Sequence, residues 1–328
     1  MKRKLIFAIV ISFLLLLIPM QVIYSWGFFA HKRINRIAVF TLPPEMIGFY
    51  KKHIEYITEQ AVGPDRRRYA VEGEAPRHYI DIDHYGENPF DVVPRQWKDA
   101  VAKYSEDTLM AYGIVPWNIN RVAASLTEAF REENPDKILR LSADLGHYIA
   151  DSHVPLLCTE NYNGYLTNQV GIHAFWESRL PELFADNFDL FTGRSIYIEN
   201  ILDKAWETVE ASFNAKDSVL LFEAQLNSQF PPDKKYCFEN RGQILTKAYS
   251  EEYCLAYDKM LNAMVERRMK ESIITTGSMW YTAWVNAGQP DLKRLDDKDI
   301  SDALKKLVEE EEKMWKTGKK LKAREHSE

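Results

Sequence analysis

From Trp26 onward, apolar residues return every three or four positions, and no other feature narrows the possible folds as much. Ile34, Ile37, Ala38 and Thr41 follow this spacing, as do Ile138, Leu141, Leu145 and Ile149 ahead of Pro155. The pattern lines one face of a helix, whereas strands require alternation, which is scarce here. Helices are expected at about 29–41, 43–60, 97–112, 117–131, 135–152, 172–184, 200–213, 216–228, 249–275, 277–287 and 299–315, each boundary holding to within several residues. The expected fold class is all-α.

The start of the chain has a different character. Lys2, Arg3 and Lys4 precede an unbroken apolar run from Leu5 to Met20, and Ser25 is a small residue suited to precede a cut. Residues 1–25 therefore read as a signal peptide whose removal makes Trp26 the new N-terminus. The protein would then be exported, to the periplasm or beyond, with no stable transmembrane segment. An uncleaved anchor is the alternative, because the run approaches bilayer-spanning length.

Roughly 300 residues remain, and 46% hydrophobic content is ample for a large core. No repeat or low-complexity linker interrupts them, and the 14 Gly and 14 Pro are scattered as punctuation. One multi-helix domain is expected over 26–315. In its last helix Ile300, Leu304, Leu307 and Val308 share a face and Glu309–Glu312 lie on another, which reads as a solvated amphipathic helix. Residues 316–328 read as a basic, frayed tail.

Loss of Lys2, Arg3 and Lys4 would move the formal charge from −6 to about −9. That balance gives no long-range attraction to nucleic acid or anionic lipid, so it disfavours nucleic acid as a partner without excluding it. Cys158, Cys237 and Cys254 are too few for a disulfide scaffold. One pair, with Cys237–Cys254 a candidate, is compatible with an oxidising compartment.

Chemistry becomes visible where histidines recur beside carboxylates. His147 and Asp151 lie four apart, as do His173 and Glu177, so each pair projects from one face of its own helix. Two such pairs facing one another in a bundle is how helical proteins assemble multi-metal sites. Either pair alone also suits an ordinary surface hydrogen bond. Two further segments add donors: His78 stands thirteen residues after Asp65 of Gly63-Pro64-Asp65, and His31 stands five residues after Trp26. Asp81 and Asp83 follow His78 closely enough to accept from its other ring nitrogen, an orienting role, or to form an exposed acidic turn. His53, His84 and His326 fall outside this set and read as surface residues.

With these residues in view, the chain resembles the zinc-dependent phospholipase C family, whose superfamily also contains single-strand-specific zinc nucleases. The resemblance runs through most of the chain after residue 25. It implies an all-α fold holding three Zn2+ ions. Asp65, His78, His147 and Asp151 would hold one ion, and Asp151 would bridge to a second bound by His31 and by the free amine and carbonyl of Trp26. A third would be held by His173, Glu177 and a His six residues after the bridging Asp, where this chain has Leu157. Leucine donates no lone pair, and two protein ligands fall below the usual three of catalytic zinc. Cys158 and His153 are the neighbours that could substitute; as a buried small residue and a packing residue they would not.

The chemistry implied is hydrolysis of a phosphodiester or phosphoester by metal-activated hydroxide, with the charge of the phosphate neutralised by the ions. Asp65 and Asp151 are the candidate catalytic acids. No Gly-x-Ser-x-Gly elbow, P-loop or Cys-x-x-Cys pattern competes with this reading. A phospholipid or other phosphodiester is the expected substrate; a single-strand-type nuclease and a catalytically impaired zinc-binding protein are the alternatives. The loop Glu160–Tyr165 reads either as a border of the site or as an Asn-Gly turn with a packed tyrosine. Tyr79, Tyr148, Tyr162, Phe175 and Trp176 would form an apolar wall for substrate or belong to the core, and Trp280, Tyr281 and Trp284 pose the same question.

Overall fold

The structure, a computed structural model, describes residues 28–241, 244–295 and 298–318. The leader, Trp26, His326 and most of the basic tail lie outside the described residues. Helix dominates what is described, in agreement with the all-α expectation, and the single described sheet is one antiparallel hairpin, Tyr236–Arg241 paired with Ile244–Tyr249. No described helix is long and apolar enough to cross a membrane.

Local chemistry sets the helix starts. Asn134 Oδ1 accepts from the Lys137 amide at 3.1 Å with Pro135 in the first turn, and Asn200, Ser250 and Ser301 cap their helices in the same way. The Pro135–Ser152 helix is central: it packs on Val115–Arg131, on Met264–Asn286 and on Phe28–Ala38. Trp280 joins it by donating to the Ser142 carbonyl at 3.0 Å, while the indole stacks on Tyr50. Tyr79, Tyr148, Phe175, Trp176, Trp280 and Trp284 are all buried, so most of the aromatic residues read as a wall or as core are core.

Close approach at two glycines fixes the helix contacts around the histidines. A Cβ at Gly146 would fall 2.1 Å from Asn35 Oδ1, and one at Gly277 would fall 1.9 Å from Thr41 Oγ1. Neither space admits a side chain, so Phe28–Ala38 lies directly against the helix bearing His147.

Several boundaries differ from the sequence pattern. The 43–60 helix breaks at His53 into Pro44–Lys52 and Ile54–Glu59, and Ser105 at φ 70° divides 97–112. The helices expected at 200–213 and 216–228 are one, Ile201–Gln229. The break expected near 276 falls instead at Asn262 and Ala263, both left-handed, because Gly277 serves close packing and no turn forms there. His53 is buried against Phe49 and does not lie on the surface, whereas His84 is partly exposed and pairs with Glu160 at 3.2 Å. All three cysteines are free thiols, with Cys237 and Cys254 converging on the Tyr249 carbonyl at 3.8 Å each.

The last helix, Asp302–Thr317, is not simply solvated. Glu311 leaves the acidic face to become buried between Arg67 and Arg140, and Trp315 packs on Phe28 with ring centres 6.2 Å apart. A pattern read only on apolar positions misses a carboxylate drawn inward by buried guanidiniums.

Candidate metal centre

Four separate segments deliver the donors. His31 projects from Phe28–Ala38, Asp65 from the first turn of the short helix Gly63–Arg68, His78 from the end of the 3-10 turn Ala75–His78, and His147 and Asp151 from successive turns of the central helix. Asp65 falls in none of the expected helices, yet Pro64 starts a short one there. All five side chains are buried.

Their distances describe a cage. His78 Nδ1 lies 2.9 Å from Asp151 Oδ2 and 3.0 Å from His147 Nε2, and His147 Nε2 lies 3.2 Å from Asp151 Oδ2. Asp65 Oδ1 stands 3.7 Å from His147 Nε2 and 3.8 Å from His78 Nδ1. These are five of the six distances among four donor atoms, and three of the four, from His78, His147 and Asp151, lie close enough together to share one metal ion. Asp151 Oδ1 turns the other way, 3.4 Å from His31 Nε2, so its two oxygens face two different imidazole positions. His31 and His147 stack with ring centres 4.0 Å apart.

Hydrogen bonds orient the rings. His147 Nδ1 donates to the Ala61 carbonyl at 2.8 Å, which turns Nε2 toward the cage. Glu74 Oε1 lies 3.8 Å from His78 Nε2. Glu74 is buried and accepts from Tyr148 and from Arg77, with Arg67 alongside at 3.7 Å. Asp83, expected near His78, instead accepts from Thr159 and from the Glu160 amide. Glu74 went unnoticed in the sequence although it stands four residues before His78, the same spacing as the other pairs in reverse order.

The electrostatics favour a cation. Burial pushes the His78 imidazole down to about 3 despite its bond to Asp151, so it is neutral at ordinary pH. Burial also raises Asp65, opposed by the charges of His147 and His31. Burial acts to raise Asp151 as well, but the charge on His147 and bonds from His147, His31 and His78 hold it well below the usual carboxylate range. His147 is lifted to about 9, burial being overcome by Asp151 and Asp65. Two buried acids beside a neutral imidazole draw in positive charge, either a proton on His147 or a divalent ion that would displace it. Asp65 Oδ2 is buried with no hydrogen-bond partner among the described residues, as expected of an oxygen reserved for an ion or for water.

His173 and Glu177 sit together elsewhere, Nε2 to Oε1 at 3.1 Å and both buried. The expected 172–184 helix carries a π turn at Phe175–Arg179, which rotates Glu177 out of simple helical phase. Leu157 is buried in the core. The two neighbours read as substitutes for it point elsewhere. His153 Nδ1 donates to the Ile149 carbonyl at 2.7 Å, with burial and Arg268 holding its imidazole neutral, and the Cys158 thiol faces Val154, its pKa pushed up to about 12 by burial. Among the described residues, clusters able to hold a metal comprise His31 with Asp65 and His147, and His78 with His147 and Asp151; none contains His173. The Glu160–Tyr165 loop forms the turn that was one of its two readings. Asn161 and Asn163 build the turn through bonds to Leu166 and Gly171, and the Tyr162 ring packs edge-on to His173 at 6.1 Å.

No protein-family model matches the chain, and comparison with curated proteins gives no match. Fold and site therefore define a class on their own: a mostly helical protein whose buried His/Asp groups could hold a metal ion.

Proposed function

We propose that this protein is an exported zinc-dependent hydrolase of phosphoric esters, of phospholipase C type. The observation that carries the reading is the convergence of donor atoms from Asp65, His78, His147 and Asp151 on one buried spot. Zinc suits this mixture of imidazole and carboxylate, whereas calcium and magnesium prefer six or more oxygens. His31, with Trp26 if the leader is cut before it, would hold a second ion across Asp151.

When bound, paired divalent ions would neutralise phosphate charge and lower the pKa of water. The chain's own part is to fix the donors: Asp151 divides its oxygens between the two positions, the Ala61 carbonyl holds the ring of His147, and Glu74 lies beside the outer nitrogen of His78. Asp65 Oδ2, buried and without a hydrogen-bond partner among the described residues, would take a proton from a water molecule. Leu157 leaves a third position short of a ligand, so two bound ions and a weakened or altered activity follow.

The test uses zinc-loaded protein whose N-terminus has been sequenced. Metal content is measured, and hydrolysis of a choline phospholipid, single-stranded nucleic acid and a chromogenic phosphodiester is followed with and without chelator. We expect about two zinc ions per chain and chelator-sensitive hydrolysis of the lipid and the chromogenic ester. Cleavage of nucleic acid alone would favour the nuclease reading, and no turnover of any substrate after zinc loading would leave an impaired zinc-binding protein. In parallel, Leu157→His should add a third ion and raise the rate; equal rates and equal metal content in the two proteins would refute the reading of the third position.

A further inference from the structure

The hairpin is built inside out. Along Tyr236–Arg241 exposure alternates, with Tyr236, Phe238 and Asn240 facing solvent and Cys237, Glu239 and Arg241 facing the protein. On the partner strand Leu245 and Lys247 are exposed and Thr246 is half-buried. Phe238 is 70% exposed and Leu245 64%. The polar side is the one that docks: Arg179 donates to both Glu239 oxygens at 2.9 and 2.8 Å and to the Tyr249 carbonyl, and Arg241 donates to Glu182 and Glu239. An antiparallel hairpin normally turns its apolar side inward, and here two large apolar side chains are held out in water at a cost.

Charge identifies what covers this face. Glu239 is drawn inward by Arg179, so no carboxylate remains among the exposed strand residues described, although Asp and Glu outnumber Lys and Arg 48 to 42 in the whole chain. The outward charge is Lys247, directly opposite Phe238 in the register, with its ammonium 3.9 Å from the centre of the Tyr236 ring. A lysine whose ammonium rests on a tyrosine ring, beside an exposed Phe and Leu, matches the boundary between lipid headgroups and acyl chains, where the apolar side chains are buried and the ammonium is free to exchange the ring for phosphate.

The face is also joined to the surroundings of the His173–Glu177 pair. Tyr249 at the end of the hairpin stacks on Phe175 at 4.0 Å, in the π turn that carries Glu177. A Cβ built at Gly171, where the neighbouring loop ends, would lie 4.0 Å from the Tyr249 hydroxyl. That loop exposes Tyr165, Leu166 and Val170, and its Tyr162 packs on His173. Exposed apolar side chains therefore stand both on the hairpin and on the loop whose Tyr162 packs on His173.

We propose that the outer face of the hairpin, Tyr236, Phe238, Leu245 and Lys247, docks the protein onto a phospholipid surface containing anionic lipid and so presents phosphodiester headgroups to the metal centre. This rests on the hydrolase reading for its purpose, though binding to lipid can be measured without catalysis.

The experiment compares the zinc-loaded protein with a Phe238→Ser/Leu245→Ser variant and with Lys247→Glu, using sedimentation with vesicles of phosphatidylcholine with and without phosphatidylglycerol. The double variant should lose roughly tenfold or more in vesicle partitioning. Lys247→Glu should lose several-fold on anionic vesicles only. Both should keep wild-type rates on a soluble chromogenic phosphodiester while losing rate on vesicles. A Phe238→Trp variant should shift its emission to the blue on vesicles and be quenched by brominated acyl chains. Unchanged partitioning of the double variant, or no binding of the wild type to either vesicle, overturns the proposal. Concentration-dependent dimerisation abolished by the same variants also overturns it, in favour of a second copy as the occupant. Lipid binding without turnover of any ester would refute the hydrolase reading and leave the docking surface standing.

Discussion

Glu74 acts one step away from the cage. Its carboxylate, fixed by Tyr148, Arg77 and Arg67, lies 3.8 Å from the outer nitrogen of His78, which has no hydrogen-bond partner among the described residues, so Glu74 stands ready to accept from that nitrogen when an ion takes Nδ1. Groups in this position typically contribute 10–100-fold to metal affinity. Glu74→Gln is therefore expected to weaken zinc binding by about 10–100-fold in competition with a chelating dye, while His84→Gln, remote from the cage, leaves it unchanged. Equal affinities for Glu74→Gln and wild type would mean that His78 is oriented by packing alone.

At the scale of the element, the spacing between two helices decides whether His31 and His147 meet. Gly146 sits one residue before His147, Asn35 lies one turn after His31, and the contact between them leaves no room for a methyl group. Gly146→Ala should cost about 1–3 kcal/mol in stability by overpacking and, by separating the helices, should also lower zinc occupancy. Gly277→Ala serves as the control: it lies on Met264–Asn286 and meets Thr41 in the turn after Phe28–Ala38, away from the helix bearing His147, so a comparable loss of stability with normal zinc content is expected. Thermal unfolding and metal analysis of the two variants separate these effects; normal zinc content in folded Gly146→Ala would refute the role given to the helix contact.

For the whole molecule, the cage ties together segments distant in sequence. His31, Asp65, His78 and the His147–Asp151 pair lie on four elements, and Arg67, next but one to Asp65, is held by Asp144 and by Glu311 of the last helix. An ion bound to the folded chain and not to the unfolded one stabilises by about 2.7 kcal/mol when its concentration is a hundred times its dissociation constant. Chelation is thus expected to lower the unfolding temperature by about 5 °C or more, restored by added zinc. A melting temperature indifferent to chelator in protein shown to contain zinc would count against a cage made of these residues.

Much of this was written in local pattern. Apolar spacing of three and four marks the helices because each helix must bury a stripe, and His-to-carboxylate spacings of four mark His147–Asp151 and His173–Glu177 because those positions share a face. Local pattern does not report which face meets which neighbour. Glu311 and Glu74 looked like ordinary acids until buried guanidiniums claimed them, the π turn at Phe175–Arg179 leaves no periodic signature, and the hairpin escaped notice because its apolar side faces solvent. Sequence by itself determined the helical class and the donor types, since both depend on residues near one another along the chain. Only the tertiary structure decided that Asp65, His78, His147 and Asp151 converge while Cys158 and His153 turn away, because convergence depends on how closely whole helices pack, and that is set by contacts such as Gly146 against Asn35.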